Sequence, residues 1–477
     1  MLWRSPTFTT WLNLAARMSA MLVVLPLVLN RFDAPDVAIY YLFSNVIGLQ
    51  LMAVSGFAPT LSRFVTYVLA GARLDDLAAA RNGAGSDVRF QGKCDPGTLA
   101  SLLASVRRGY RLLIIAVVPV GAVMGTLALH APISATSSPV DSWAAWLVIC
   151  ATTPLVLASG RYSAFLQGAD KVALDQRWSA LFVIFGALSG LGVMLAGGGL
   201  FGLILSNQCW QVFGFFRLRW LAGKILREIV PEAAASGRPD PRYLRAIWPA
   251  SWRSIIGVLG SNGVASGLAV VFAQFFPAKQ LAEFLLATRL MAFVSEVSKA
   301  PFYSGIPRMN AMRSSGRLAE LLRYAAERMR FSYATFLVFS ALVPVAAHYV
   351  FPLIGSEVGL PSLEFWVLLV TAQLVERMGA MHVQLYSTTN HIVWHVLNGV
   401  TGAIWILLAL GLIGVLGYNA YPISMLIAYL CCYSSFGPAY SLRSLHVRFW
   451  AFERRVFLPV LGAHFLASIF ALLFVGR

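Results

Sequence analysis

AEFLLATRLMAFVSEVSKAPFYSGIPR, Ala282–Arg308, is apolar enough in its first part to cross a bilayer, yet it carries Arg289, Glu296 and Lys299. A charged side chain at the centre of a membrane helix costs at least about 2.5–3.5 kcal/mol, so it normally faces a partner or a water-filled cavity. At about 100° per residue, Arg289, Glu296, Lys299 and Tyr303 fall within an arc of roughly 80° on one side of a helix. Pro301 and Pro307 then interrupt the helix where the chain should leave the membrane. An apolar span with one charged side reads as a wall of a polar chamber.

The whole chain has the same character. Of its 477 residues, 58% are hydrophobic and 12% charged, and mean hydropathy is +0.71. Water cannot solvate that balance, which implies an all-α polytopic membrane protein. A net charge of +17 would raise nucleic acid as a partner for a soluble protein. Here the excess base belongs to cytoplasmic loops, and no nucleic acid is expected. The five cysteines, at 94, 150, 209, 431 and 432, lack metal-ligand spacing and read as packing residues. Met18–Leu29 follows Arg4 and Arg17 like a signal peptide, but Asn30-Arg31-Phe32-Asp33 offers no small-residue cleavage site, so it reads as the first span.

About twenty apolar residues make one crossing. The first half then gives six spans, near 8–30, 37–69, 109–129, 142–168, 176–196 and 199–219. The second half gives six more, near 246–275, 279–305, 331–353, 363–388, 391–416 and 420–441, and 456–475 reads as a thirteenth. Basic residues crowd loops 70–108, 217–245, 307–330 and 442–455, whereas 31–36, 130–141, 276–280 and 354–362 are almost free of them. All basic loops fall on one side, which places the N-terminus in the cytoplasm and the C-terminus outside.

The halves also resemble each other. PTLSRFVTYVLAGARLDDL around Arg63 matches YSGIPRMNAMRSSGRLAEL around Arg308. A basic loop follows each, then a span centred on Val118-Pro119-Val120 or Val343-Pro344-Val345. The fourth and tenth spans end alike, in Leu166–Val172 and Tyr386–Ile392. Such order implies an internal repeat of parallel topology. The expected layout is a lobe over 1–220, a cytoplasmic linker over 221–245, a second lobe over 246–441, and a loop with an extra helix over 442–477.

Several span residues are polar. Arg17 lies one turn from Asn13 and either snorkels to the interface or faces a cavity. Arg253 heads a stripe of Gly257, Gly260, Val264 and Gly267, which reads as helix packing or as a cavity wall. In the tenth span, Gln373, Glu376, Arg377, Ala380 and Gln384 share an arc of roughly 100°, and Glu376–Arg377 reads as a functional or a mutually neutralising pair. Arg161 and Gln167 sit where snorkelling is expected, and Asn207, Gln208 and Gln211 suit interhelical hydrogen bonds. His382, His391 and His395 match no metal pattern, although one of them could carry a proton. The expected anion-binding set is Arg17, Arg253, Arg289, Lys299 and Arg377, with Glu296 and Glu376 as ion-coupling acids. A chamber so lined is net positive, and guanidinium forks suit phosphate oxygens. No GxxxxGK[ST] loop, HExxH, GxSxG or soluble catalytic domain occurs, so neither an enzyme nor a cofactor or metal is indicated.

SGFAPTLSRFVTYVLAG (55–71), SAFLQGADKV (163–172), WPASWR (248–253), LLATRLMAFVSEVSKAPFYSGIPRMNAMRSSGRL (285–318) and STTNHI (387–392) resemble the polysaccharide-exporter branch of the MOP superfamily. Those are the Wzx-type flippases, distant relatives of the MATE multidrug exporters. The resemblance implies two six-helix lobes in a V around a central cavity, rocking between inward and outward openings. It implies transfer of an anionic lipid-linked oligosaccharide, typically on undecaprenyl pyrophosphate, across a bacterial inner (plasma) membrane for O-antigen, capsule or exopolysaccharide. Membrane lipids and other polysaccharide-assembly proteins are the partners it implies. The thirteenth span departs from the usual twelve; the fourteen-span lipid II flippases match less well. A MATE drug exporter would place an acid in its first span, where this chain has Arg17. A MATE-like small-molecule exporter and a membrane glycan polymerase or ligase are the alternative readings.

Overall fold

The structure, a computed structural model, describes residues 6–72, 94–229, 237–389 and 393–474. It is helical throughout, and it divides into one unit over Met1–Val258 and a second over Leu259–Arg477. The division falls inside the seventh span.

The first unit holds α1 (Pro6–Arg31), α2 (Ala34–Ser55), α3 (Phe57–Leu69), α4 (Pro96–Ser134), α5 (Pro139–Gly168), α6 (Val172–Leu195), α7 (Leu200–Ile229) and α8 (Pro241–Val258). The second begins with a π-helical turn, Leu259–Gly263, that runs into α9 (Val264–Phe272). It continues with α10 (Ala278–Tyr303), α11 (Ile306–Ser314), α12 (Leu318–Leu353), α13 (Leu363–Ser387) and α14 (Trp394–Leu416). Next come α15 (Ala420–Ala428), a second π turn at Tyr429–Tyr433, and α16 (Ser434–Arg443). Two further helices, α17 (Phe449–Val456) and α18 (Leu458–Phe474), end the described chain, bent by 46° at their junction.

The order repeats. In each half the second helix breaks near a glycine, Gly56 or Gly305, and a short helix carrying Arg63 or Arg308 follows. A long helix with a mid-point proline comes next, α4 with Pro119 and α12 with Pro344. The packing repeats as well: α1 lies on α6 as α9 and its π turn lie on α14. Similarly α2 lies on α4 as α10 lies on α12, and α5 on α7 as α13 on α16. This is an all-α polytopic fold of two related six-helix lobes, with α18 as the extra helix.

Among the described residues, eight segments are long and apolar enough to cross a membrane, or nine counting the bent α17–α18 pair. The sequence gives thirteen spans because two of those segments each join helices, 34–69 and 394–443, and because α7, α10 and α13 carry polar stripes that mask their length. The outward sides are greasy. Leu112, Ile115, Val120, Val123, Met124 and Leu127 are exposed along α4, and Phe331, Val338, Leu342, Val345 and Tyr349 along α12. Contiguous apolar faces of that kind are stable against lipid.

Glycines set the tightest crossings. A Cβ at Gly260 would stand 2.4 Å from the Asn398 carbonyl oxygen, and one at Gly402 would stand 2.6 Å from that of Gly260. The π turn therefore packs backbone against backbone on α14, and for Gly260 the close-packing reading of the stripe holds. Gly267 has nothing within 4 Å of its would-be Cβ. Gly260→Ala and Gly402→Ala should each lower stability by about 1–3 kcal/mol. Gly267→Ala should be neutral or stabilising by up to about 1 kcal/mol. Thermal unfolding of the detergent-purified variants measures the difference.

Candidate functional site

In the second unit, α10 presents Arg289 and Glu296 exposed, with Lys299 and Tyr303 half-buried. Lys299 Nζ donates to Glu296 Oε1 one turn earlier, the two side chains being 33% and 54% exposed. Glu296 thus neutralises Lys299, and Arg289 remains the cation of that face with no ion-pair partner among the described residues.

On α13, Glu376 and Gln373 are half-buried, and the Gln373 amide donates to the Met425 sulfur at 3.7 Å. Arg377 turns inward and is 1% exposed. Its Nη2 donates to Ser295 Oγ at 2.6 Å and to the Ser295 carbonyl at 2.8 Å, and its guanidinium lies 5.8 Å from the Phe336 ring centre. Arg377 Nε and Nη1 have no partner. Adjacency in sequence does not make Glu376 and Arg377 an ion pair, because successive helical residues point about 100° apart. Arg377 instead ties α13 to α10, and Ser332 ties α12 to α10 by donating to the Ser298 carbonyl at 2.6 Å.

In the first unit, Arg17 is exposed on α1. Asn13, one turn earlier, donates to Gln176 Oε1 on α6 at 2.6 Å. Arg253 is exposed on α8 with its guanidinium 5.9 Å from the Trp252 ring centre. Arg161 donates to the Tyr162 hydroxyl at 2.8 Å and stacks over its ring. Gln208 is buried and accepts from Thr152 at 2.6 Å, the interhelical bond expected of it, whereas Asn207 and Gln211 are exposed. His391 lies outside the described residues. Among the described residues no His, Cys, Asp and Glu group is arranged to hold a metal.

Two clusters escaped the sequence reading. Asp175, 4% exposed at the start of α6, accepts from Ser163 at 2.6 Å, and Gln167 donates to that serine at 3.2 Å. Arg217 of α7 stands 3.8 Å from Asp175 and stacks 4.8 Å over the Phe182 ring. The signal available was Arg217 itself, directly after Val212-Phe213-Gly214-Phe215-Phe216, too deep in an apolar run for a loop residue. The second cluster joins the extra helices to the lobe. His382 Nε2 of α13 lies 2.7 Å from Glu453 Oε1 of α17, with exposures of 0% and 1%. His464 of α18 lies 2.9 Å from Thr371 of α13.

Outside the spans, Arg242 donates to Asp240 from backbone and side chain and holds its carboxyl below the usual range. Burial lowers the Arg313 guanidinium on α11, which grips Ser444 beyond the end of α16 at 2.8 Å.

An all-helical membrane fold of two repeated six-helix lobes, each carrying cations on apolar helices, is the architecture to compare. No protein-family profile matches the chain, and no curated protein matches it. Solved structures do. The chain is similar to a structure described as the inward-facing conformation of a multidrug resistance MATE family transporter of the MOP superfamily, with TM-score 0.67 and 12% identity over 92% of this chain and 98% of that one. It is similar to an outward-facing conformation of such a transporter, with TM-score 0.56 and 14% identity over 93% and 97%. A MOP superfamily transporter from Pyrococcus furiosus, whose description gives its binding pocket reversed polarity and a different function, has TM-score 0.53 and 12% identity over 93% and 97%. The fold is therefore that of the MATE transporters of the MOP superfamily, and the chain is a multi-pass membrane protein.

Removing one partner of a buried ion pair strands the other's charge, at a cost of about 3–5 kcal/mol. Asp175→Ala should therefore destabilise the protein by that order. Asp175→Asn combined with Arg217→Gln should recover most of the loss, as a double-mutant cycle on thermal unfolding will report.

Proposed function

We propose that the protein flips an anionic lipid-linked oligosaccharide across the membrane by alternating access, the lipid being of the undecaprenyl pyrophosphate type. One observation carries this reading: the exposed charges on the apolar helices are predominantly basic. Arg17 and Arg253 come from the first unit and Arg289 from the second, with Lys299 held in reserve by Glu296. A cation exposed on an apolar helix is costly unless something anionic visits it. Guanidinium groups meet phosphate oxygens two at a time, which suits a pyrophosphate. Glu296 then releases Lys299 when the anion arrives, and Glu376 is the second acid available for ion coupling. Arg377 contributes by holding α13 to α10, since its guanidinium is committed to Ser295.

The same fold hosts a neighbour described with inverted pocket polarity, which supports a change of cargo on an unchanged scaffold. The second reading, a small-molecule exporter, draws on the multidrug description of the other neighbours. The two differ in the charge of the cargo, and the cations favour an anion.

Arg17→Ala, Arg253→Ala and Arg289→Ala should each insert normally and each reduce glycan export at least about tenfold, one lost charge-assisted contact being worth about 1.5–3 kcal/mol. Deletion of the protein should leave lipid-linked saccharide on the cytoplasmic leaflet, as leaflet-selective labelling reads out. Normal export by all three variants, or drug sensitivity without a glycan defect on deletion, would overturn the flippase reading.

A further inference from the structure

We infer that His382, Glu453 and Ser441 form a proton-binding site inside the second lobe, whose occupancy sets the charge under α17. His382 sits on α13, Glu453 on α17 and Ser441 on α16, and all three are buried. His382 Nδ1 lies 2.6 Å from Ser441 Oγ and Nε2 lies 2.7 Å from Glu453 Oε1. Ser441 Oγ is also 3.2 Å from the Pro438 carbonyl oxygen, which can only accept.

Proton bookkeeping gives two states. When the Ser441 hydroxyl donates to Pro438, its oxygen accepts from Nδ1–H, and the close Nε2 and Oε1 atoms must share a further proton. The cluster is then neutral, as imidazolium with carboxylate or imidazole with carboxylic acid. When the hydroxyl turns to donate to Nδ1, the ring keeps only Nε2–H, which donates to Glu453. The cluster is then one proton poorer and carries a net negative charge. A single hydroxyl rotation satisfies the ring nitrogens in both states, so a proton can come and go without a side chain leaving its place.

The surroundings decide that the two states differ in energy. The groups facing the pair are Tyr333 of α12, with an unpartnered hydroxyl within reach of the Glu453 charge, and Phe452 of α17, with its ring 5.8 Å from His382. Arg377 lies nearby on α13, fixed to Ser295, and His464 of α18 is engaged with Thr371. Arg454 and Arg455 are exposed. Glu453 Oε2 has no partner, so nothing on the page compensates the proton-poor state. A net charge in an apolar interior is disfavoured, and an interior ion pair seldom stabilises more than apolar packing would. A pair retained there is better suited to switching than to holding. Losing the proton loosens α17, the segment that leads into α18. Ser444 lies one turn beyond Ser441 and is gripped by Arg313, which brings the cytoplasmic helix α11 to the same end of α16.

Any role for the site in a transport cycle rests on the function proposed above; its proton binding does not. The test is infrared difference spectroscopy on the purified full-length protein, stepped between about pH 5 and 8, the range in which histidine titrates. The wild type should show coupled imidazole and carboxyl bands, absent in His382→Gln and Glu453→Gln and retained in His464→Gln. Ser441→Ala leaves the pair in place but removes the acceptor of the charge-assisted bond, so the midpoint should fall by up to about one pH unit. Bands that persist in both Gln variants, a wild type without them, or an unmoved midpoint in Ser441→Ala would overturn the assignment. No substrate enters the measurement, so failure of the flippase reading leaves this result standing, and the converse holds.

Discussion

Every charge placed on an apolar helix has to be met by something, and this molecule meets its charges in two ways. Arg377 is met by the protein: it gives up all but 1% of its exposure for the carbonyl and hydroxyl of Ser295. Asp175 is met by Ser163 and Arg217. Arg17, Arg253 and Arg289 are met by neither and remain exposed. The first kind holds helices together, while the second kind is free to receive a ligand. The same physical cost therefore sorts structural from functional cations once side-chain directions are known.

Much of the fold was legible because membrane spans obey a coarse rule. Twenty apolar residues, basic loops on one side and a proline at the centre of corresponding spans need no tertiary information. The matches around Arg63 and Arg308 correspond in space to short helices after a break, and the Val-Pro-Val centres fall in the long helices α4 and α12. The site was less legible. Angular position on a helix says which residues share a side, but not what stands opposite. Arg377 and Glu376 looked like a pair because they are adjacent, and only the presence of Ser295 on α10 explains why Arg377 turns away. The Asp175–Arg217 and His382–Glu453 contacts join residues far apart in sequence, and no spacing rule reaches them.

The extra helices show how an addition to a repeated scaffold is secured. Nothing in the repeat calls for α17 and α18, yet α13, a core helix of the second lobe, supplies Thr371 and His382 to hold them. Two buried polar contacts on neighbouring turns fix both the position and the rotation of the added segment. Apolar packing alone would constrain rotation less, since lipid offers an exposed leucine nearly the same environment as a protein interior does.

The π turn at Leu259–Gly263 has a consequence for evolution as well as for packing. A π turn is an α-helix with one residue inserted, and the insertion advances the following residues by about 100° around the axis. Arg253, before it, and Gly267, after it, share a side only on an uninterrupted helix. In this chain they belong to two faces that are out of phase, one engaged at Gly260 and one open at Gly267. A second such turn, Tyr429–Tyr433, interrupts the last helix of the same lobe, and no described helix of the first unit contains one. The two lobes have thus diverged by single-residue insertions, small in the sequence and large in what each helix shows to its neighbours.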